Sequence, residues 1–231
     1  RLLGVLCTAG LMLLSWRLSA SLSTRPGDSA HLAAPCILAA NGALAFWTLS
    51  GMETAAFALL ITAGATRYLR SGVLDITTAI LFGLATLTRP EGWMFFALTA
   101  IHQMICLLWT PGGRHAALRQ AWRRMLALAA FVGTVLPHLL FRWSYYGHLL
   151  PNTFYAKTGI SLTYVTHGLR YTGKFLVDYG LWGVALTAVL VPLWRQRSRA
   201  KAAYLGLLIF ANVIYVTLVG GDTLPESRLY L

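Results

Sequence analysis

The sequence predicts an all-α integral membrane protein, built as a polytopic bundle of transmembrane helices. Hydrophobic residues make up 57% of its 231 residues, whereas charged residues make up only 11%. A soluble domain normally carries about 25% charged residues, and it could not hide this much apolar surface from water. Because lipid offers no partners to free backbone groups, apolar runs of this kind span the membrane as helices.

Each predicted helix is an apolar run of about 20 residues, or somewhat fewer where the ends snorkel. This criterion places about eight spans, at residues 2–21, 32–49, 54–69, 73–88, 92–109, 125–143, 175–194 and 202–219. Before the seventh, residues from about 162 to 171 fit either a short amphipathic helix on the outer surface or an irregular loop. We expect residues 1–231 to be one transmembrane domain that is incomplete at both ends.

The basic residues indicate the orientation of these helices. The net charge is +12, and the arginines and lysines cluster in alternate loops, near residues 17–25, 67–70, 114–124 and 195–201. By the positive-inside rule these loops are cytoplasmic, and the loops between them face the cell exterior. No basic stripe with interleaved aromatic residues is present, so no nucleic-acid partner is expected.

The segment 145–157, Tyr-Tyr-Gly-His-Leu-Leu-Pro-Asn-Thr-Phe-Tyr-Ala-Lys, is the densest polar and aromatic stretch on the outer side. Aromatic faces and hydroxyls suit sugar rings or lipid headgroups, and a lysine near a helix N-terminus suits an anion. An aromatic interfacial anchor with a snorkelling lysine is the structural alternative. The candidate ligand-binding residues of this segment are Tyr146, His148, Asn152, Tyr155 and Lys157.

The segment Arg89-Pro90-Glu91-Gly92 places a cation and an anion at the start of the fifth predicted helix. Pro90 fits the first helical position and Glu91 fits the positive helix N-terminus. The pair either fixes the loop or presents an arginine to a phosphate, which its planar fork suits. We favour the second interpretation, because charges so close to the bilayer are costly.

Two further outer motifs carry carboxylates. Glu53, in Ser50-Gly-Met-Glu-Thr, either supports the N-terminus of the third helix or lines an outer cavity. Asp222 follows two glycines that either end the last helix or let the backbone approach a ligand, and Arg228 stands six residues later. Neither these carboxylates nor the three cysteines show a recognisable metal-ligand spacing, so no metal is predicted.

Taken in order, the four outer motifs resemble those of the polytopic bacterial glycosyltransferases of the GT-C fold. The branch that they resemble is similar to the mycobacterial terminal arabinofuranosyltransferases. The motifs that carry the resemblance are Ser50-Gly-Met-Glu-Thr, Leu87-Thr-Arg-Pro-Glu-Gly, the segment 145–157 and Gly220-Gly-Asp-x-x-Pro-x-x-Arg228.

The resemblance implies a multi-pass enzyme of the bacterial inner (plasma) membrane with an extracytoplasmic active face and no cofactor. It implies transfer of a sugar from a polyprenyl-phosphate donor to a glycan, lipid or protein acceptor, with inversion and an aspartate as general base. We expect that aspartate upstream of Arg1. The donor phosphate would be held by Arg89, Lys157 and Arg228, and the carboxylates Glu53, Glu91 and Asp222 would shape the sugar pocket.

Two alternatives use the same residue types. A transporter or flippase for a lipid-linked saccharide would hold the headgroup without chemistry, and it should show charged residues deep in several helices and paired broken helices. A ligase that moves whole glycans from a lipid carrier is the second alternative, and the sequence separates it poorly from a transferase.

Overall fold

The computed structural model describes residues 1–22, 32–109, 121–148, 162–178, 199–221 and 228–230. Within these ranges every regular element is helical, as the sequence predicts for an all-α protein. The elements are α1 Leu2–Leu22, α2 Ala33–Ala39, α3 Gly42–Leu49, α4 Thr54–Ser71, α5 Ile76–Thr88, α6 Gly92–Trp109, α7 Ala121–Tyr146, α8 Leu162–Asp178, α9 Arg199–Val219 and a 3-10 turn at Arg228–Tyr230.

Four of the described helices are long and apolar enough to cross a membrane. They are α1, α6, α7 and α9, and a fifth span results if α3 and α4 form one broken span. The prediction of about eight spans is therefore too high for the described residues, because several apolar runs are shorter or more interrupted than their composition indicates. The predicted span at 175–194 lies mostly outside the described residues.

The predicted helix at 32–49 is two short helices, α2 and α3, and this corrects the sequence interpretation. The side-chain oxygen of Asn41 accepts a hydrogen bond from the backbone N–H of Leu44 at 3.0 Å, and Asn41 itself has an extended backbone. This is an N-cap, which begins a new helix at Gly42 and ends the continuity of the run. Asn41 therefore serves the backbone of this turn.

Helix α5 begins later than the predicted residue 73, and Asp75 is the reason. The Asp75 carboxylate accepts hydrogen bonds from the backbone N–H and the hydroxyl of Thr78, at 2.9 and 2.8 Å. It also forms an ion pair with Arg67 at 2.6 Å. At 13 residues, α5 is about 20 Å long, which is shorter than the roughly 30 Å of bilayer hydrocarbon.

The chain divides into two compact units, Arg1–Ala55 with Leu150–Leu231, and Ala56–Leu149. In the first unit, α1 packs on α3 through a backbone contact so close that a side chain at Gly4 would collide with the carbonyl of Thr48. The hydroxyls of Thr8 and Thr48 are hydrogen-bonded at 2.6 Å beside it. Small residues at a contact of this kind are typical of helices packed in a membrane.

The same unit contains α8 and α9, which are also in close backbone contact. The segment predicted as a short helix or a loop is the helix α8, and its buried Gly168 lies against the backbone of Thr217 in α9. Tyr230 in the 3-10 turn stacks on Phe175 at 4.3 Å between ring centroids. The hydroxyl of Tyr230 is hydrogen-bonded to that of Thr172 at 2.5 Å.

Two glycines end α9 in a Schellman motif. The backbone N–H of Gly220 donates to the carbonyl of Thr217, and that of Gly221 donates to the carbonyl of Val216. Both glycines have positive φ, at 87° and 75°, and a Schellman helix end requires this conformation at its first residue, Gly220. A side chain at Gly221 would meet the ring of Tyr171 at 2.6 Å. The structure thus gives the Gly-Gly pair a role in ending the helix.

The second unit is a bundle in which α4 and α6 run in one direction and α5 and α7 run in the other. Its core includes one face of the short helix α5, where Ala79, Phe82 and Ala85 are fully buried. The contacts that establish these directions are Phe57–Phe95, Tyr68–His102, Leu74–Gln103, Met104–Arg124 and Phe96–Phe131.

These directions place two sets of residues at opposite ends of the second unit. One end carries Arg67, Asp75 and Arg124, and the other carries the Arg89–Glu91 turn and the end of α7 at Tyr146. The alternation of basic loops predicts this same grouping for these loops. We call the second set the Arg89 end, meaning the start of α4, residues 89–92 and residues 141–148.

Candidate functional site

Arg89 lies directly after the end of helix α5. Its backbone is extended, with φ −144° and ψ 135°, while its N–H still donates to the carbonyl of Ala85 at 2.9 Å. Its own carbonyl accepts a hydrogen bond from the N–H of Gly92 at 3.0 Å, and this bond closes the turn into α6. The turn holds the Arg89 side chain within the bundle, where only 8% of it is exposed.

Two groups contact the Arg89 guanidinium. Its Cζ lies 5.3 Å from the centroid of the Phe57 ring in α4, in a cation–π arrangement. The Phe57 ring in turn meets Phe95 of α6 edge to face, with centroids 6.1 Å apart. The guanidinium Nη2 donates to Oε1 of Glu91 at 3.5 Å. The two charges that the sequence analysis singled out are therefore brought together as a nearly buried pair.

One carboxylate oxygen of Glu91 has no hydrogen-bond partner among the described residues. Oε2 is shielded from solvent and accepts no hydrogen bond from any residue that the structure describes. A buried acceptor left unpaired costs about 1–3 kcal/mol, and more when the group is charged. A guanidinium has five donors, of which the contact with Glu91 uses one. The pair therefore combines an acceptor for a hydroxyl with a planar cation for an anion.

Gly92 holds the Arg89 turn against α5. A side chain at this position would collide with the backbone of Ala85 and Thr86 in the last turn of α5. In the motif Arg-Pro-Glu-Gly, close packing therefore requires a glycine at the last residue, Gly92. The first and third residues, Arg89 and Glu91, form the ion pair. The backbone on both sides of the pair is held by this contact.

The other part of the Arg89 end is the last turn of α7. Tyr145 and Tyr146 are both exposed, and their rings meet edge to face at 4.8 Å between centroids. The helix ends where Gly147 takes a positive φ of 70° and its N–H donates to the carbonyl of Trp143. His148 follows, exposed and in contact with its surroundings. These rings present the flat faces that the sequence analysis expected there.

Glu53 lies in the turn before α4, is half-buried, and takes part in a polar or electrostatic interaction. The Ser50 hydroxyl oxygen accepts a hydrogen bond from the N–H of Met52 at 3.3 Å. The Thr54 hydroxyl is buried and makes no hydrogen bond among the described residues.

Several predicted site residues lie outside the described residues. The 3-10 turn contains the backbone of Arg228, whereas the position of its side chain is not described. The others that fall outside are Asn152, Tyr155, Lys157 and Asp222.

The aromatic support of Arg89 was not predicted from the sequence. Phe57 is one of ten phenylalanines in the chain, and its position in an apolar run gives no local signal that a cation lies against it. Across the described ranges, no group of three or more His, Cys, Asp or Glu side chains is arranged to hold a metal ion.

Two known proteins are similar to this chain in sequence. A protein named "Terminal beta-(1->2)-arabinofuranosyltransferase" from Corynebacterium glutamicum is 28% identical over 179 residues, which cover 70% of this chain and 24% of the relative. A protein of the same name from Mycobacterium tuberculosis is 28% identical over 129 residues, which cover 55% of this chain and 18% of the relative. This chain is similar to the terminal arabinofuranosyltransferases.

That similarity confirms the resemblance stated from the four motifs. The chain spans about a quarter or less of the length of these two relatives. No protein-family model matches the sequence, and no solved structure matches it.

Proposed function

We propose that this chain is part of a membrane glycosyltransferase that moves a sugar from a polyprenyl-phosphate donor to an acceptor outside the cytoplasm. The observation that carries the proposal is the nearly buried Arg89–Glu91 pair at one end of a membrane bundle, in a chain similar to arabinofuranosyltransferases. The names of these relatives suggest an arabinofuranosyl group as the sugar. For the acceptor we propose a glycan, lipid or protein that carries a free hydroxyl.

In this proposal Arg89 binds the donor phosphate. A polyprenyl phosphate leaves with its negative charge, and a preorganised cation in a water-poor site lowers the energy of that charge. The guanidinium remains in contact with Glu91 Oε1 at 3.5 Å and has donors left for a two-point contact with phosphate. Lys157 and Arg228 are the other cations that we assign to the phosphate.

Glu91 and the aromatic residues hold the sugar in this proposal. The unpaired Oε2 of Glu91 accepts a hydrogen bond from a sugar hydroxyl, which offsets the energetic cost of burying it. Tyr146 offers a face for the ring, and His148 is two residues further along the chain. On the resemblance of the motifs alone, we also assign Glu53, Asn152, Tyr155 and Asp222 to sugar binding.

The Arg89 end faces the cell exterior in this proposal. The opposite end of the second unit carries Arg67 and Arg124, and basic residues are retained on the cytoplasmic side. A donor in the outer leaflet would then reach Arg89 from the membrane without crossing it. The bacterial inner membrane is the location that we propose, as the resemblance of the motifs implies.

The direct test uses the full-length protein in proteoliposomes and a panel of radiolabelled polyprenyl-phosphate pentoses and hexoses. We expect label to move from one donor to an added saccharide, lipid or protein acceptor. Substitution Arg89→Ala should abolish transfer while the protein still inserts, and Arg123→Ala, an exposed arginine at the other end of the bundle, should not. Labelled lipid that changes leaflet without any transfer would instead indicate a flippase.

A further inference from the structure

A second arginine, Arg142, lies four residues before the end of α7 and forms no ion pair with any residue that the structure describes. Its Nε is shielded from solvent and makes no hydrogen bond with any described residue. Its Cζ lies over the ring of Tyr146, 5.7 Å from the centroid. A charged group within an apolar spanning helix is costly and is usually paired with another group. Among the described residues, no anion satisfies the buried Nε–H donor of Arg142.

The packing register places Arg142 near the level of Arg89. Gly83 of α5 lies against Thr134 of α7: a Cβ added at Gly83 would be 2.9 Å from the side chain of Thr134. The two helices run in the same direction. Arg89 is six residues beyond Gly83, and Arg142 is eight residues beyond Thr134. At the rise of an α-helix these separations are roughly 9 and 12 Å along the axes. The two cations therefore lie within about one helical turn of each other in height.

The length of α7 also places Arg142 at the boundary of the apolar layer. Arg124, near the other end of α7, is 18 residues away, or roughly 27 Å along the helix, close to the roughly 30 Å of bilayer hydrocarbon. Aromatic side chains crowd this part of α7, and four of them are exposed on its surface: Phe141, Trp143, Tyr145 and Tyr146, at 56%, 61%, 71% and 58%. Exposed rings at this depth are typical of the membrane–water interface, where lipid phosphates lie.

We propose that Arg142, held over the Tyr146 ring, binds the phosphate of the polyprenyl-phosphate donor where the lipid enters the site from the membrane. This assignment rests on the proposed function and adds a residue to it. The guanidinium fork can contact two phosphate oxygens through Nε and one Nη. The exposed rings beside it lie where the first isoprene units of the lipid would pass. Arg142 thus positions the donor so that Arg89 meets the same phosphate.

The test measures binding of a polyprenyl phosphate that carries no sugar to the full-length protein in nanodiscs, in parallel with transfer kinetics. The variants are Arg142→Gln and Arg142→Lys, and Arg123→Gln is the matched control, since it removes an exposed arginine from the other end of the same helix. We expect Arg142→Gln to raise the Kd for polyprenyl phosphate and the KM for the donor by about tenfold or more, as loss of a charged hydrogen bond predicts. The kcat should change less.

Arg142→Lys, which keeps the charge without the fork, should recover part of the affinity, and Arg123→Gln should leave Kd and KM unchanged. Equal affinity of the wild type and Arg142→Gln would overturn this assignment while leaving the transferase proposal to its own assay. Equal competition by phosphatidylglycerol would also overturn it, because the site would then hold any anionic phospholipid. A wild type that neither binds nor uses any polyprenyl phosphate would overturn the proposed function as well. A melting temperature that is unchanged in all three variants shows that they fold.

Discussion

The Arg89–Glu91 pair can be tested by a double-mutant cycle on the stability of the full-length protein. The side chains are 8% and 14% exposed and meet at one contact of 3.5 Å. Removing one partner of a buried ion pair costs about 3–5 kcal/mol, because the other charge stays buried without compensation. The contact is long and single, so we expect about 3 kcal/mol for Arg89→Gln.

Substitution of the other partner, Glu91→Gln, should lower the free energy of unfolding by less. In Glu91→Gln the cation keeps the Phe57 ring at 5.3 Å, and a desolvated cation–π contact contributes about 2 kcal/mol. We therefore expect about 2 kcal/mol for this change. The double variant removes both charges, so its cost should fall below the sum of the singles by about 2 kcal/mol, the magnitude of a charge-assisted hydrogen bond.

The assay is denaturant unfolding of the full-length protein in detergent micelles, followed by tryptophan fluorescence. The same cycle on Arg67 and Asp75 is the control, since their side chains are 51% and 28% exposed and an exposed pair couples by about 1 kcal/mol or less. Single-variant effects for Arg89 and Glu91 that add within about 0.5 kcal/mol would refute the pairing.

Three further predictions concern the scaffold. Gly221→Ala should destabilise the protein by roughly 1–3 kcal/mol in the same unfolding assay, because positive φ and a neighbouring ring both oppose a side chain; Gly206→Ala, in open space within α9, should be neutral or stabilising. Burial raises the pKa of Asp75, but hydrogen bonds from Arg67 and Thr78 outweigh it and leave the pKa below its usual value. The ionised Asp75 therefore stabilises the fold above about pH 4, and this contribution is lost as the pH falls further. On acidification from pH 5 to 3, the wild type should lose more stability than Asp75→Asn. Equal losses would contradict this prediction. Phe57→Leu should cost roughly 1 kcal/mol and reduce transfer, whereas an unchanged midpoint and rate would show that the ring does not support Arg89.

The sequence predicted the long apolar helices well, because a run of about 20 apolar residues has few alternatives in a membrane. It failed where a single polar residue rearranged the backbone. Asn41 caps α3 and divides the predicted helix at 32–49, and Asp75 delays the start of α5. Both residues are good helix N-caps, so closer attention to capping would have found these boundaries.

The candidate site was predictable only in part. Arg89 and Glu91 are two residues apart, so their meeting follows from one tight turn, and the basic loops indicated which turns share an end. The Phe57 ring comes from another helix, and its contact with Arg89 depends on tertiary packing that no local pattern encodes. Arg142 had a signal in the sequence, since it is a charge inside an apolar run, but its relation to Tyr146 required the structure.

The Gly220-Gly221 pair shows how a functional interpretation can be separated from a structural one. The sequence left open whether these residues end a helix or approach a ligand. The hydrogen bonds to Thr217 and Val216 and the positive φ values show a helix stop. Asp222 remains a proposed pocket residue on the strength of the motif order.

The most direct test of the central claim compares transfer rates of the wild type, Arg89→Ala and Arg123→Ala. The full-length proteins would be assayed in proteoliposomes with the polyprenyl-phosphate sugar that the donor panel identifies. We predict that Arg123→Ala transfers at the wild-type rate and that Arg89→Ala falls by about 100-fold or more, as loss of a group that stabilises developing charge requires. An Arg89→Ala rate within about threefold of wild type, in protein that is correctly inserted, would contradict the claim that this end of the bundle holds the donor phosphate.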